Sequence, residues 1–353
     1  MDHLYLTQDR IGTPTGGGKV TFNEYRALER LSGRCFPLDS HQVGLMADPF
    51  ANDLRFAEMV ERATDIKEPG IAHIYSGCFT KTVEILKKRG FTVTYTAAAH
   101  DIAESRREFE ELGIPFSFPH LVDPMLWDRY VHGYRRADAV ICPSQKSAKL
   151  MRYYGCDRVE VIPHGCDLPA RPPAPFPDRF TLGYLGQGGP DKGIRYLLQA
   201  WKELDLQDAT LLVAGDNVSM VTSLWRAFGG GQVEVMGFVK DIGDFFSRVS
   251  VYCQPSVSEG FGIEVLEAMA HGRPVIASLG AGAADVVRED FGRVFQPRDV
   301  RELARRIHAY ARAPGEELAY DAGRARLAAQ EYDWVKIRGA YEALWKSLRP
   351  EFA

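Results

Sequence analysis

The segment PSVSEGFGIEVLEAMAHGRPVIAS, residues 255–278, carries the strongest structural and chemical signals in the chain. The apolar run VSVYCQPS (249–256) that leads into it predicts a buried strand, and the pattern that follows predicts a helix from about Ile263 to Ala270. Glu259 lies in the loop between strand and helix, and Glu267 lies eight residues further along, within the helix. One carboxylate therefore stands at the start of the helix and the other along its body.

These carboxylates suit a ligand that is rich in hydroxyl groups. A carboxylate accepts two hydrogen bonds from neighbouring hydroxyls, as a ribose or a hexose offers them. Gly260 and Gly262 let the backbone approach a ligand closely, and the N–H groups of residues 261–263 would face a phosphate. Taken singly, Glu267 is typical of a solvated helix residue, but the apolar or small residues on both sides of it favour a site.

Short β-rich runs alternate with helical patterns in both halves of the chain. Besides 249–256, the predicted strands are 91–97, 137–144, 180–186, 209–216, 233–239 and 273–278. Continuous apolar strands separated by helices are typical of parallel sheets that are covered on both faces. The sequence therefore predicts an α/β protein.

The stretch DLPARPPAPFPDRF (167–180) has five prolines in fourteen residues. Because proline fixes φ and removes a hydrogen-bond donor, neither a helix nor a central strand can run through it. We expect residues 167–179 to be a linker between an N-terminal domain, 1–166, and a C-terminal domain, 180–332. Ligands of open α/β sheets bind beyond the carboxyl ends of the strands, so we expect the site in the loops after the strands.

Composition and charge exclude several classes of protein. The net charge of −4 offers no basic field for nucleic acid. No apolar run approaches 18 residues, the length that a membrane-spanning helix needs, and the N-terminus lacks the pattern of a signal peptide. We therefore expect a cytoplasmic protein with at most peripheral membrane contact. Six scattered cysteines without zinc spacing predict buried or half-buried free thiols: Cys35, Cys78, Cys142, Cys156, Cys166 and Cys253.

The stretch GTPTGGGKVTF (12–22) raises the possibility of a P-loop NTPase, whose motif is G-x-x-x-x-G-K-[S/T]. A valine follows Lys19 where the motif needs a hydroxyl, and Thr13 occupies the position of the first glycine. The P-loop interpretation is therefore the weaker alternative. Thr21 and Glu24 fit a capping box, so the glycines are predicted to end a strand-to-helix turn that suits a phosphate. A flexible surface turn would also explain them.

The segment SEGFGIEVLEAMAHGRPVIAS resembles the donor-site signature of the retaining GT-B glycosyltransferases of family 4, also called glycosyl transferases group 1. Two glutamates with seven residues between them mark that family. The resemblance extends over nearly the whole chain and is less specific in the N-terminal half. Further matching segments are TYTAAAHD (94–101), ADAVICPS (137–144), VIPHGCD (161–167), YLGQGGPDKGIRYLLQAW (184–201), LLVAGD (211–216) and MGFV (236–239).

The resemblance implies a fold and a set of site residues. The GT-B fold has two Rossmann-like domains, each a doubly wound parallel sheet, that face each other across a cleft; the N-terminal domain binds the acceptor and the C-terminal domain a UDP- or GDP-sugar. The implied catalytic residues are His100, Glu259 and Lys192. The implied donor-binding residues are Gly16, Gly17, Gln187, Lys192, Phe238, Val239, Glu259, Phe261, Gly262, Ile263 and Glu267.

The resemblance also assigns roles to these residues. Glu267 would hold the ribose hydroxyls, Glu259 the hydroxyls of the transferred hexose, and Lys192 the diphosphate. The backbone at Phe238 and Val239 would meet the base, and His100 would contact the sugar.

The resemblance further implies retention of the anomeric configuration, with the leaving phosphate taking the acceptor's proton. No D-x-D motif is present where a divalent cation would be held on the diphosphate, so we expect neither a metal nor a cofactor. In this family a C-terminal helix, here within 333–353, crosses back to the first domain, although an ordinary terminal helix would give the same pattern.

One position departs from the family pattern. Gln187 stands where the family usually has an arginine, and a glutamine brings no charge to the diphosphate. Arg195 or Lys19 is a candidate to compensate for the missing cation. A non-catalytic nucleotide-sugar-binding protein is therefore the alternative function.

The acceptor side of the sequence is less informative. The aromatic segment 114–134 offers Phe116, Phe118, Trp127 and Tyr130 as pocket residues, although core packing explains them better. The acceptor, whether a sugar, a glycolipid or a small molecule, stays unidentified, and we expect no nucleic acid partner.

Overall fold

The computed structural model describes residues 1–13, 15–44, 46–97, 100–116, 121, 123–216 and 218–352. The chain divides into two units. Unit 1 comprises Met1–His100, Ser117–His164 and Trp334–Ala353, and unit 2 comprises Asp101–Phe116 and Gly165–Asp333.

Each unit is built on a six-stranded parallel sheet. In unit 1 the strand order is β2-β1-β3-β4-β5-β6, and in unit 2 it is β12-β11-β10-β7-β8-β9. The strands are β1 (Asp2–Thr7), β2 (Arg34–Leu38), β3 (Pro69–Tyr75), β4 (Thr92–Thr96), β5 (Ala139–Cys142), β6 (Val159–Val161), β7 (Phe180–Leu185), β8 (Ala209–Ala214), β9 (Val233–Gly237), β10 (Val251–Gln254), β11 (Val275–Ser278) and β12 (Gly292–Phe295).

Helices connect the strands, as parallel pairing requires. They are α1 (Gly16–Leu28), α2 (Ser40–Val43), α3 (Pro49–Arg62), α4 (Thr80–Lys88), α5 (Ile102–Glu111), α6 (Pro124–Arg136), α7 (Gln145–Tyr153), α8 (Ile194–Leu204), α9 (Val218–Phe228), α10 (Ile242–Ser247), α11 (Ile263–Ala270), α12 (Val300–Arg312), α13 (Gly315–Ala329) and α14 (Trp334–Leu348). No helix in the described part of the chain has the length and apolar character to span a membrane.

The strand order identifies where ligands would bind in each sheet. Numbered within unit 2, the order is 6-5-4-1-2-3, which is that of the doubly wound dinucleotide-binding fold. Its order reverses between β7 and β10, and in unit 1 the reversal lies between β1 and β3. Crevices for ligands form at such switch points because the flanking connections leave in opposite directions.

The α/β prediction and all seven predicted strands are confirmed. The sequence missed five others: β1, β2, β3, β6 and β12. In β1 and β3 the apolar run is interrupted by His3 and His73, both fully buried and hydrogen-bonded. A polar residue whose hydrogen bonds are satisfied is tolerated in a core, and periodicity alone does not reveal that satisfaction. All six cysteines are free thiols, as predicted, with only Cys35 outside the buried set.

Residues 101–116, which the sequence assigned to the first domain, belong to unit 2. The reason is electrostatic. Glu108 of α5 is fully buried, and it accepts hydrogen bonds from Arg195, Tyr196 and Arg298. A buried carboxylate is stable only when it is paired in this way, so α5 is held by its partners in unit 2.

Residues 167–179, all of them described, contain neither a helix nor a strand. The segment nevertheless packs within unit 2. The buried Arg273 lies 4.9 Å from the ring centroid of Phe176 and donates a hydrogen bond of 2.8 Å to the carbonyl of Ala174. Burial lowers the pKa of Arg273 to about 10. The proline-rich segment is therefore an irregular segment that packs against unit 2.

Helix α14 belongs to unit 1, where it is anchored on a buried carboxylate. Glu24 of α1 accepts hydrogen bonds from Tyr341 (2.8 Å) and Tyr5 (2.9 Å) and lies 3.2 Å from Nε2 of His73. Burial alone would raise the pKa of Glu24, but His73 and the hydroxyl donors hold it below its usual value. Trp345, on the same helix, donates to the hydroxyl of Thr94.

This anchor yields a stability prediction. We expect Tyr341→Phe to lower the free energy of unfolding by about 1–2 kcal/mol, because it removes a buried hydrogen bond to a carboxylate. Tyr320→Phe is the matched control, since Tyr320 is 64% exposed. The measurement is the urea midpoint of both variants, with amide hydrogen exchange in residues 334–348. Equal midpoints for the two variants would contradict the proposed anchoring role.

Candidate functional site

Two loops leave adjacent strands at the switch point of unit 2. The first follows β7 and leads through a short 3-10 turn, Pro190–Lys192, into α8. The second follows β10 and contains Glu259 before α11 begins. The structure therefore brings together the two segments in which the sequence placed its main donor-binding residues.

Lys192 and Glu259 form an ion pair across these loops, between Nζ and Oε2. The two side chains are 24% and 21% exposed, so both retain access to solvent. Burial alone would lower the pKa of Lys192, but the carboxylates of Glu259 and Asp191 raise it above its usual value. A positive charge and an acceptor of hydroxyl groups therefore lie side by side.

The position of Lys192 is fixed by a close backbone approach. Gly193 has φ +69°, and a Cβ placed there would lie 2.0 Å from the carbonyl oxygen of Pro255. The N–H of Val257 donates to the carbonyl of Asp191 at 2.8 Å. Only glycine fits at such a contact, so Gly193 lets the two loops lie against each other.

Backbone hydrogen bonds also fix the loop that contains Glu259. The N–H of Glu259 donates to the carbonyl of Gly280 at 3.1 Å, and its own carbonyl accepts from the N–H of Gly282 at 3.2 Å. Gly262 has φ +93° and precedes α11, so the helix begins at Ile263 as the sequence predicted. The first N–H groups of a helix lack acceptors within it and favour an anion.

The remaining predicted residues of unit 2 differ in exposure. Glu267, in α11, is only 5% exposed, in contrast to a solvated helix residue. The side chains of Phe261 and Ile263 are buried. After β9, Phe238 is exposed and Val239 is half-buried against the core.

Sequence reasoning missed Glu264, which lies between the two signature glutamates in the first turn of α11. Burial, together with the neighbouring carboxylates of Glu259 and Glu267, raises the pKa of its carboxyl to about 7. A glutamate three residues before Glu267 is on the same helix face. That spacing was the signal that could have identified Glu264.

Gln187, at the position of the family arginine, is exposed, and its carbonyl accepts a hydrogen bond from Tyr184. The suggestion that Arg195 compensates is wrong. The Arg195 side chain is buried, and its guanidinium is engaged by Glu108, Glu111 and Tyr196. Its charge holds α5 in unit 2 and is already neutralised.

Gly16 and Gly17 lie in unit 1, within the first turn of α1. The predicted capping box is wrong: Thr15 caps the helix by accepting from the N–H of Gly18, whereas Glu24 lies in the core. The predicted turn between strand and helix is present, but it ends at Thr15, so the three glycines begin the helix and do not precede it. A Cβ on Gly18 would lie 2.2 Å from the carbonyl oxygen of Thr13, which explains that glycine.

His100 and Lys19 also belong to unit 1, and both are half-buried. Of the aromatic residues offered for the acceptor, Trp127 and Tyr130 stack on each other and pack against the core of unit 1, as expected for core residues. Phe116 contacts Phe109 in unit 2. Phe118 lies outside the described residues.

No group of three or more His, Cys, Asp or Glu side chains among the described residues is arranged to hold a metal ion. The site contains a lysine, backbone N–H groups and three glutamates.

Two family models match the chain: "Glycosyltransferase Family 4" over residues 24–169 and "Glycosyl transferases group 1" over residues 179–312. The lipopolysaccharide core biosynthesis mannosyltransferase LpcC of Rhizobium leguminosarum bv. viciae is 30% identical over 61% of this chain and 66% of its own length. The sulfoquinovosyl transferase SQD2 of Arabidopsis thaliana is 27% identical over 65% of this chain and 49% of its own. The chain thus spans about half to two thirds of these relatives.

Solved structures show the same fold at low identity. The sucrose-phosphate synthase from Thermosynechococcus elongatus superposes with a TM-score of 0.80 at 18% identity, covering 99% of this chain and 100% of that one. Anabaena HepE in complex with UDP-glucose superposes with a TM-score of 0.70 at 21% identity, covering 98% and 100%.

The contact of Gly193 with Pro255 is testable. We expect Gly193→Ala to lower the midpoint of thermal unfolding, because the added Cβ meets a backbone oxygen at a positive φ. Gly323→Ala is the matched control, since a Cβ there meets nothing within 4 Å and Gly323 lies in α13. We expect the control to raise stability by up to about 1 kcal/mol through helix propensity. A Gly193→Ala midpoint at or above that of the unmodified protein would refute the argument.

Proposed function

The chain belongs to the GT-B glycosyltransferases of group 1, family 4, and we propose that it moves a hexose from a UDP- or GDP-sugar to an acceptor with retention of anomeric configuration. The observation that carries this proposal is the pairing of Lys192 with Glu259 at the switch point of unit 2, with Glu267 buried on the helix that follows. The complex of HepE with UDP-glucose, a protein of the same fold, supports a nucleotide-sugar donor.

The proposed binding roles follow from the chemistry of each group. The ammonium of Lys192 neutralises the diphosphate, and the N–H groups at the start of α11 donate to it. Glu259, released from Lys192 by the incoming phosphate, accepts hydrogen bonds from hexose hydroxyls. Glu267 accepts from the ribose hydroxyls. The backbone at Phe238 and Val239 meets the base. The donor contacts assigned to Gly16, Gly17 and His100 stay predictions.

In the proposed reaction the bond between the anomeric carbon and the diphosphate oxygen breaks, and the leaving nucleoside diphosphate keeps the electron pair. A bond forms between the anomeric carbon and the acceptor oxygen on the same face of the sugar. The acceptor's proton passes to the leaving phosphate. Lys192 and the helix N-terminus stabilise the charge that develops on that phosphate.

We propose that no divalent metal takes part, because the ammonium of Lys192 and the backbone N–H groups can bind the oxygens of the leaving diphosphate. The acceptor stays unidentified. Candidate donors are a glucosyl and a mannosyl nucleotide, since HepE binds UDP-glucose and LpcC is a mannosyltransferase by name.

The experiment is calorimetric titration of the protein with UDP-glucose and with GDP-mannose. We expect one of them to bind, and Glu267→Gln to weaken that binding by about 10- to 100-fold, as removal of a charged hydrogen-bond acceptor does. Glu203→Gln, at an exposed position of α8, is the control and should bind like the unmodified protein. EDTA should leave both binding and turnover unchanged. Failure of every nucleotide sugar to bind would refute the proposal.

A non-catalytic nucleotide-sugar-binding protein is the second candidate, favoured by the exposed Gln187 and the engagement of Arg195 by acidic partners. The discriminating variant is Gln187→Arg, with Gln207→Arg at another exposed position as the control. For an enzyme, we expect measurable release of nucleoside diphosphate before mutation and about tenfold more with Gln187→Arg, through one charge-assisted hydrogen bond. Turnover that appears only in Gln187→Arg would instead identify a protein that binds without catalysis.

A further inference from the structure

Glu264 is a titratable group within the proposed donor site to which the proposed reaction assigns no role. It lies in the first turn of α11, five residues after Glu259 and three before Glu267. Its side chain is half-buried. Within the described residues, the hydrogen bond to its carboxylate comes from its own backbone N–H. A carboxylate with so few donors retains capacity for another partner.

Five ionisable groups interact with Glu264. Tyr184 comes from β7, Tyr252 from β10, Lys192 from the turn before α8, Glu259 from the loop before α11, and Glu267 from α11 itself. The hydroxyls of Tyr184 and Tyr252 donate to the backbone carbonyls of Gln187 and Leu185. These tyrosines therefore do not donate their protons to Glu264.

The net charge of the groups around the start of α11 disfavours binding of an anion such as the diphosphate. Lys192 is already paired with Glu259, so ionised Glu264 and Glu267 leave the cluster with a net negative charge. A diphosphate brings further negative charge to the same helix N-terminus. Like charges repel strongly where water is partly excluded. The simplest relief is for one carboxyl to hold a proton when the diphosphate arrives.

We propose that Glu264 is a donor-binding residue that faces the diphosphate as a neutral carboxylic acid, so that binding of the nucleotide sugar takes up one proton. The protonated acid supplies an O–H donor to a phosphate oxygen in place of a repelling charge. Gln187 leaves that phosphate without the family's arginine, and the acid adds a donor there. This inference rests on the proposed function, because it concerns the donor of that same site.

The direction of the pH dependence follows from the pKa of about 7 for the Glu264 carboxyl. Below pH 7 the carboxyl is already neutral in the free protein, so binding of the donor takes up almost no protons. Above pH 7 it is ionised in the free protein and must gain a proton on binding. The affinity for the donor is therefore constant below pH 7 and falls as the pH rises through and above it.

The test is calorimetric titration with the nucleotide sugar that the unmodified protein binds, UDP-glucose or GDP-mannose, from about pH 6 to about pH 8.5. We expect Kd to rise by up to about tenfold per pH unit above pH 7. Titration in two buffers of different ionisation enthalpy should show uptake approaching one proton at about pH 8.

Two variants and a control test whether Glu264 is the source of the pH dependence. Glu264→Gln keeps a hydrogen-bond donor without a charge, so its Kd should be independent of pH and its proton uptake should vanish. Glu264→Leu removes the donor, so its binding should be independent of pH and weaker than that of Glu264→Gln. Glu203→Gln, outside the cluster, should keep the pH dependence of the unmodified protein.

The inference and the proposed function fail in different ways. If no nucleotide sugar binds at any pH, the proposed function is wrong and the inference falls with it. If a nucleotide sugar binds without proton uptake at about pH 8, the donor site stands and the role of Glu264 is wrong. Proton uptake that persists in Glu264→Gln would also overturn that role. Even if a variant does not fold, the absence of proton uptake by the unmodified protein would overturn the role of Glu264.

Discussion

The contact of Gly193 with the carbonyl of Pro255 is the constraint on which the candidate site depends. Parallel strands deliver their following loops to one edge of the sheet, but they do not determine how closely two loops approach. The absent side chain at Gly193 and the bond from Val257 to Asp191 bring the loops after β7 and β10 together. That approach places Lys192 and Glu259 close enough to form an ion pair.

The pKa values of the site residues then follow from the arrangement of one lysine among several carboxylates. Lys192 holds its proton because Glu259 and Asp191 surround it, while Glu264 resists ionisation because burial and its acidic neighbours oppose the charge. Arg195 does not alter that balance, since its charge is neutralised by Glu108 and Glu111. The same sequence therefore uses one arginine to hold a helix in place and leaves the proposed phosphate site with a lysine and backbone donors.

Each unit is stabilised internally by a buried carboxylate that is paired with hydrogen-bond donors. In unit 1, Glu24 contacts two tyrosines and His73, and one of those tyrosines, Tyr341, belongs to the C-terminal helix. In unit 2, Glu108 accepts hydrogen bonds from Arg195, Tyr196 and Arg298. Losing one partner of such a group leaves a desolvated charge, which costs more than a typical surface contact. His73, which contacts Glu24, also explains why apolar periodicity missed β3. The partners of Glu108 hold residues 101–116 in unit 2, although the sequence placed the domain boundary at the proline-rich segment.

The sequence by itself determined the α/β class, the strands with unbroken apolar runs, the start of α11 and the paired glutamates, because each depends on neighbours within about two helical turns. Contacts between residues far apart in sequence were decided only in the tertiary structure. They include the pairing of Lys192 with Glu259 and the burial of Arg195 against Glu108. The burial that raises the pKa of Glu264 was decided there as well. Charge and desolvation depend on distance in space, and the order of residues along the chain does not specify that distance.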